Sequence, residues 1–207
     1  MLCSERIEGL SIDNLVNAPQ DVRDWVGTEV MRLTLKELME WQLMQTDPNP
    51  ANFYFDPERR RLNLIDFGSA RYYEDEFVAD YVEILRAAQL QQKKLVREYS
   101  EKVRFLTGEE NDEMLKAHVD SVLIVAKPFQ TEGSFDFGHL GITDQIMDRI
   151  PVMTKNRLTP PPKPLYSLHR KLSGVYLTCI SLRSKVPAKE LFEETYHGFI
   201  NRVQPTR

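Results

Sequence analysis

QTDPNPANFYFDPERRRLNLIDFG, residues 45–68, sets Asp47, Asn52 and Asp66 in order along a segment that carries its own scaffold. Asn52-Phe-Tyr-Phe55 and Leu62-Asn-Leu-Ile-Asp66 are short runs rich in apolar and aromatic residues, the composition of strands. Asp56-Pro57-Glu58 and the arginines that follow form a polar turn between them. A hairpin closed by that turn begins one strand at Asn52 and ends the other at Asp66. The segment therefore predicts that two residues distant in sequence stand side by side. Pro48 and Pro50 exclude helix from the approach and stiffen the backbone around Asp47.

The three side chains suit phosphate chemistry with a hard metal ion. Mg²⁺ prefers oxygen ligands, and the Asp66 carboxylate with the Asn52 carbonyl leaves positions for phosphate oxygens and water. Asp47, separate from that pair, is free to take a proton from a nucleophile. D-x-x-x-x-N followed by D-F-G is the order and spacing of the kinase catalytic loop and its metal-binding acid. An aspartate before proline also caps turns, so Asp47 has a structural reading beside the catalytic one.

Further along, Phe105-Leu-Thr-Gly108, Ala117-His-Val-Asp120, Phe135-Asp-Phe-Gly138, Pro160-Pro-Pro162 and Tyr166-Ser-Leu-His-Arg-Lys171 complete a set of motifs. With the Gln45–Asn52 loop, they resemble the UbiB-type atypical kinases, also called aarF-domain kinases. The likeness runs from about residue 2 to about residue 198 and is greatest to the mitochondrial branch that supports coenzyme Q (ubiquinone) biosynthesis. The resemblance implies a kinase-like or ATPase-like fold that uses Mg²⁺ and ATP. It makes Asp47 the catalytic acid/base, Asn52 a Mg²⁺ ligand and Asp66 the principal Mg²⁺ ligand, Asn52 and Asp66 thereby being the cofactor-binding residues. It also implies a place on the matrix side of the mitochondrial inner membrane, with coenzyme Q biosynthetic proteins, and a lipid or membrane surface, as partners.

The departures from ordinary protein kinases carry information. Gln45 and Thr46 replace the His-Arg before the catalytic aspartate, so a phosphorylated activation loop has no receptor. Asn49 stands where protein kinases place a lysine, and an amide supplies no positive charge to a transferring phosphoryl group. Pro50 stands where the resembled branch usually has tryptophan. These changes point toward ATP hydrolysis or a small lipid-like acceptor rather than a protein side chain.

Composition sets the remaining bounds. The chain has 207 residues, 42% of them hydrophobic, enough for one substantial core. A net charge of −4 argues against nucleic acid as a partner. Cys3 and Cys179 are too few for a disulfide framework or zinc site, and the histidines at 118, 139, 169 and 197 show no metal-binding pairing. His118 reads as a structural hydrogen-bonding residue, and Tyr72 and Tyr73 as packing residues. No run is long enough to span a bilayer, and the first residues do not read as an Arg-rich presequence.

Periodicity divides the chain into a hinge and loop over 1–20, a helix over 21–44 and the 45–68 segment, with a helical remainder over 74–207. Within that remainder the expected helices are about 74–85, 90–106, 109–126, 141–156, 167–184 and 187–202, with Asp75 and Glu76 in the first turn of the first and a proline connector near 160. The fold class is α+β, mostly α: a protein-kinase-like C-lobe with one β-hairpin packed on a helical bundle. Ser167, His169, Arg170 and Lys171 form a basic cluster. It is either a patch for anionic lipid or phosphate, or a helix start capped by Ser167 with its cations in solvent; the second is the expectation.

No glycine-rich loop or strand-borne lysine precedes residue 45, so the N-lobe is missing from the expected fold. Two functions follow. One is the C-terminal portion of an atypical kinase or ATPase with half an Mg-ATP site, inactive by itself. The other is a catalytically inactive module that binds coenzyme Q biosynthetic proteins or a membrane surface.

Overall fold

A computed structural model describes residues 6–139, 141, 145 and 148–203. The first long element is helix α1 (Gln20–Met39), which buries Val26, Val30, Leu35, Leu38 and Met39. It stops five residues short of the expected end at 44. Leu43 and Met44 keep the apolar rhythm of a helix, but Gln42 takes a left-handed φ of 54° and the chain turns into strand β2 (Leu43–Gln45). Tertiary pairing overrides local periodicity there, because β2 finds an antiparallel partner in β5 (Ala70–Tyr72). Arg202, near the end of the chain, donates to the Met39 and Glu40 carbonyls that the helix end leaves unpaired.

The hairpin forms as the sequence indicates. Strand β3 (Phe53–Asp56) pairs with β4 (Arg61–Leu64), Phe53 facing Leu64 and Asp56 facing Arg61. Asp56 closes the turn by accepting from the Glu58 and Arg59 amides, both at 3.0 Å. Two features were not expected. Strand β1 (Leu10–Ser11), in a stretch that reads as loop, adds to β3 and makes the sheet three-stranded in the order β1-β3-β4. Pro50–Asn52 forms one 3-10 turn, so the prolines do not exclude every helical turn: Pro50 sits at the first position, where no N–H is needed, and Asn49 caps it by accepting from the Ala51 amide at 3.1 Å.

The remaining elements are mostly helical: α2 (Asp75–Gln89), α3 (Lys93–Lys102), α4 (Asp112–Val125), α5 (Lys127–Gln130), α6 (Ile150–Asn156), α7 (Lys163–Leu182) and α8 (Ala188–Val203). Asp75 and Glu76 lie in the first turn of α2, where they favour its positive end. A short ladder of β6 (Phe135–Asp136) with β7 (Lys185–Val186) interrupts the helical remainder. Of the expected helix over 141–156 only Ile150–Asn156 is observed as α6, with a turn at residues 148 and 149 before it; residues 142–144 and 146–147 lie outside the described set, as do residues 1–5 of the expected hinge, Cys3 among them.

α1 lies at the centre of the molecule, packed against α7, α8 and β7. The core joins Val30 and Leu38 of α1, Val82 and Leu85 of α2, Leu168 and Leu172 of α7, and Phe192 of α8. No helix among the described residues is long and apolar enough to cross a membrane.

Candidate functional site

Two ladders hold the segment that carries Asp47, Asn52 and Asp66. At its entrance Gln45 faces Ala70 in the β2–β5 ladder, and the Thr46 amide and hydroxyl both donate to the Ser69 carbonyl, at 3.1 and 2.8 Å. At its far side the Ile65 amide donates to the Asn52 carbonyl at 3.0 Å, one pair beyond the β3–β4 ladder. Asn52 therefore lies opposite Ile65, and Asp66 follows one residue on. The hairpin does what its sequence predicts, bringing the Asn52 backbone opposite the residue that precedes the Asp-Phe-Gly triplet.

Asn52 is buried and donates its side-chain N–H to Asp47 Oδ2 at 3.0 Å. Asp47 and Asn52 are thus a bonded pair, their mutual orientation fixed before any ligand arrives. Asp66 is exposed and accepts from the Gly68 amide at 2.7 Å through Oδ1. These are hard oxygen donors of the kind a divalent magnesium ion takes. Among the described residues no group of three His, Cys, Asp or Glu side chains gathers for a metal, so a cation here would depend on the Asn52 amide and on ligand oxygens.

Helix α7 backs this segment along one face, at positions 167, 170, 171 and 174. The Ser167 hydroxyl meets the Tyr73 hydroxyl at 2.9 Å, and the Arg170 guanidinium donates to Asp47 Oδ1 at 3.3 Å. Lys171 is fully buried, its Nζ 3.3 Å from Glu37 Oε2 and 5.2 Å from the centre of the Phe53 ring. Glu37 in turn accepts from the Gln45 amide at 3.2 Å, at the mouth of the loop. Gly174 meets Pro48. The expectation of solvent-facing cations at 169–171 is therefore corrected: only Arg170 fits it. Lys171 is in the interior, and the His169 ring lies between Tyr81 and Phe105. Ser167 does not cap α7, which begins at Lys163; its hydroxyl also bonds the Lys163 and Pro164 carbonyls.

Burial sets the electrostatics behind the loop. It pushes the Glu37 carboxyl up and the Lys171 amine down, each opposed by the charge of the other, and Lys171 also senses Asp47. The two groups stand at ion-pair distance, but neither Lys171 Nζ nor Glu37 Oε2 makes a well-aligned hydrogen bond. Their attraction is Coulombic. Further back, burial pushes His118 down to about 3 and His169 down to about 4, with the Arg157 charge assisting. His118 bonds Ser100 Oγ at 2.9 Å, the structural role its sequence context suggests. Tyr73 is buried and stacks on Phe77, whereas Tyr72 is exposed.

With this geometry in place, known proteins supply the family. A model of the ABC1 atypical kinase-like domain matches residues 1–100. The mitochondrial atypical kinase COQ8B of Rattus norvegicus is 38% identical over 204 residues, 96% of this chain and 39% of the relative. The mitochondrial atypical kinase coq-8 of Caenorhabditis elegans is 40% identical over 204 residues, 97% of this chain and 27% of the relative. COQ8 of Saccharomyces cerevisiae, also a mitochondrial atypical kinase, is 39% identical over 193 residues, covering 92% and 38%.

The chain belongs to the ABC1 atypical kinase-like family. It spans 27–39% of the length of these three relatives. A solved complex of Rv3197 with erythromycin from Mycobacterium tuberculosis superposes with a TM-score of 0.69 at 23% identity, covering 94% of this chain and 49% of that one. The fold is thereby α+β, mostly helical and kinase-like.

Two further features bear on how an ABC1 family member would use this lobe. The first is a second Asp-Phe-Gly, Asp136-Phe137-Gly138, with the same local turn: the Gly138 amide donates to Asp136 Oδ1 at 2.8 Å. Phe137 is buried in the core, and Asp136 is paired with His139 and Lys185. Phe67 of the first triplet is 65% exposed. The triplet alone thus makes a turn; its neighbours decide whether a ligand site forms.

The second feature is a groove of about 420 Å³ lined by Leu33, Trp41, Leu43, Leu62, Phe67 and others. The Gln45 side-chain amide, which is buried, reaches this groove with neither its oxygen nor its nitrogen bonded. The groove was not foreseen residue by residue. Trp41 and Leu43 read as the continuation of α1, so their exposure follows from where that helix stops.

Proposed function

We propose that this chain is the metal-binding lobe of an atypical kinase or ATPase that supports coenzyme Q biosynthesis. Asn52 and Asp66 hold Mg²⁺, and Asp47 is the acid/base that takes a proton from the attacking group. The observation that carries this reading is the meeting of Asp47, Asn52 and the Asp-Phe-Gly turn between two ladders, with the Asn52 N–H spent on Asp47 at 3.0 Å. That bond leaves the Asn52 side-chain oxygen, Oδ1, for a cation and sets Asp47 apart from the metal ligands. The ion would neutralise phosphate charge when bound. Asn49 and Thr46 favour ATP hydrolysis or a small acceptor over a protein side chain.

Kinase sites cover the phosphates with a glycine-rich loop, and residues 1–44 hold no such loop. Oxyanion-type donors contribute roughly 2.7–4 kcal/mol each, so this lobe by itself falls below measurable turnover. We expect weak Mg²⁺ binding that is lost in Asp66→Asn, and no rise of several degrees in the melting temperature of this chain with Mg-ATP. A rise of several degrees that vanishes in Asp66→Asn would instead make this chain an ATP-binding unit by itself. Metal binding unchanged by Asp66→Asn would remove the reading altogether.

A second reading is favoured by the exposed groove with Trp41 and Phe67: a catalytically inactive module that docks on coenzyme Q biosynthetic proteins or a membrane surface. Both readings place the protein in mitochondria, on the matrix side of the inner membrane. Coenzyme Q content in cells carrying Asp66→Asn separates them, since the module tolerates that change and the phosphate site does not.

A further inference from the structure

Asn49 brings no charge to the loop, yet a guanidinium reaches the loop from another element. Arg170 donates to Asp47 Oδ1 at 3.3 Å, while Asn52 occupies Oδ2 at 3.0 Å. We propose that Arg170 is the phosphate-binding cation of this site, its guanidinium bridging Asp47 and the phosphoryl oxygens of a nucleotide. The inference rests on the reading of Asp47, Asn52 and Asp66 as a phosphate and metal site.

The chemistry of the side chain fits the task. Guanidinium carries five N–H donors in a planar fork that matches phosphate oxygens two at a time. The contact with Asp47 uses one nitrogen, and the Arg170 side chain is 58% exposed, so its remaining donors are open to solvent and to a phosphate. Lys171 is the other cation that senses Asp47, but it is 0% exposed and directed at Glu37 and Phe53. Asn49 is neutral and spends its oxygen on the Ala51 amide. Among the described residues, Arg170 is the cation that touches Asp47 and is open to solvent.

Position is fixed as well as charge. Arg170 lies in the second turn of α7, and that helix is docked on the loop by Gly174 to Pro48 and on the flanking elements by Ser167 to Tyr73 and Lys171 to Glu37. A cation on a docked helix differs from a lysine within the loop, because the loop's own backbone need not place it. The arrangement also divides the site. Positive charge at Asp47 repels a metal ion there and leaves the cation position to Asn52 and Asp66, with phosphate between the two.

That division gives opposite signs for two measurements on the whole chain. Mn²⁺ standing in for Mg²⁺ is followed by electron paramagnetic resonance, and Mg²⁺-pyrophosphate by ³¹P line broadening. In Arg170→Gln we expect Mn²⁺ affinity equal to or above that of the original protein, and pyrophosphate affinity lower by about tenfold or more, the scale of a hydrogen bond to a charged group. Arg170→Lys restores part of it, keeping charge without the fork.

A parallel loss of Mn²⁺ and pyrophosphate in Arg170→Gln would make Arg170 a support for Asp47 alone and overturn the proposal. Unchanged pyrophosphate affinity in Arg170→Gln would overturn it too, as would an original protein that binds Mn²⁺ but no pyrophosphate. Mn²⁺ affinity that survives Asp66→Asn sinks the metal reading instead, and the pyrophosphate series then judges Arg170 by itself. An original protein that binds neither probe overturns both.

Discussion

Gly174 faces Pro48 so closely that a Cβ on the glycine would lie 1.9 Å from the proline's Cβ and 3.2 Å from its Cα. The contact lets α7 come down onto the loop three residues from Gln45 and one from Asp47. Proline cannot swing aside, because its ring is tied to its own backbone. Gly174→Ala should therefore destabilise the protein by about 1–3 kcal/mol as an overpacked contact and weaken Mn²⁺ binding as the loop shifts. Gly198 in α8 has nothing within 4 Å of its would-be Cβ, and there Gly198→Ala should stabilise by about 0.5–1 kcal/mol. Urea midpoints moving in opposite directions check the pair; equal shifts would reject the close docking of α7.

The Lys171–Glu37 pair yields a second expectation. Lys171→Met leaves the Glu37 carboxylate buried without its counter-charge, a loss of about 3–5 kcal/mol when such a pair is broken from one side. Glu37→Gln keeps an oxygen for the Gln45 amide, now bonded at 3.2 Å, so the double variant Glu37→Gln/Lys171→Met should recover most of the loss. Urea denaturation of both single variants and the double measures the coupling. A loss below about 1 kcal/mol in Lys171→Met would show that the pair carries no buried charge.

The legible part of this site was the part made by local chemistry. Turn residues at Asp56–Glu58 and apolar runs on either side announce the β3–β4 hairpin, and a hairpin alone brings Asn52 to Asp66. What the sequence hid was made by elements far apart in the chain. β2 exists because Ala70–Tyr72 is there to pair with it, so the end of α1 could not be read from α1. Lys171 looks like a solvated cation until Glu37, on another helix, is seen beside it. Ser167, Arg170, Lys171 and Gly174 share a helix face by spacing, but only the docked loop shows which face it is. The same limit explains the two Asp-Phe-Gly triplets, identical as text and distinct in burial.

The exposed groove predicts behaviour in solution. Trp41 is 50% and Phe67 65% exposed beside Leu43, an apolar cluster with little reason to stay in water. We expect concentration-dependent self-association in the micromolar to millimolar range, seen by sedimentation velocity. Trp41→Gln with Phe67→Ser should reduce it while shifting stability by only about 0.5 kcal/mol, since both residues lie at the surface. A strictly monomeric original protein, or a double variant that associates equally, would reject the groove as an adhesive face.

Acid should loosen the core beneath α7 before it weakens the Glu193–Arg86 pair. His118 is buried and pushed down to about 3, His169 to about 4, both by burial first and the Arg157 charge second. Unfolded, each would bind a proton near its ordinary value of about 6.5. Between that value and the folded ones the unfolded chain holds protons that the folded chain lacks, so stability is full above pH 6.5 and falls as pH drops. At pH 5 the loss is about 2 kcal/mol per histidine. The decline continues from both to about pH 4 and from His118 alone toward pH 3. Glu193, held below the usual range through its bonds to Arg86 and Gln89 against the effect of burial, weakens only at lower pH than the histidines. Melting temperatures between pH 7 and 5 therefore report the histidines' loss, against the opposite pull of Glu37, whose carboxyl burial pushes up. His169→Phe, which keeps a ring between Tyr81 and Phe105, should cut that slope by about half. An unchanged slope would place the acid sensitivity elsewhere in the protein.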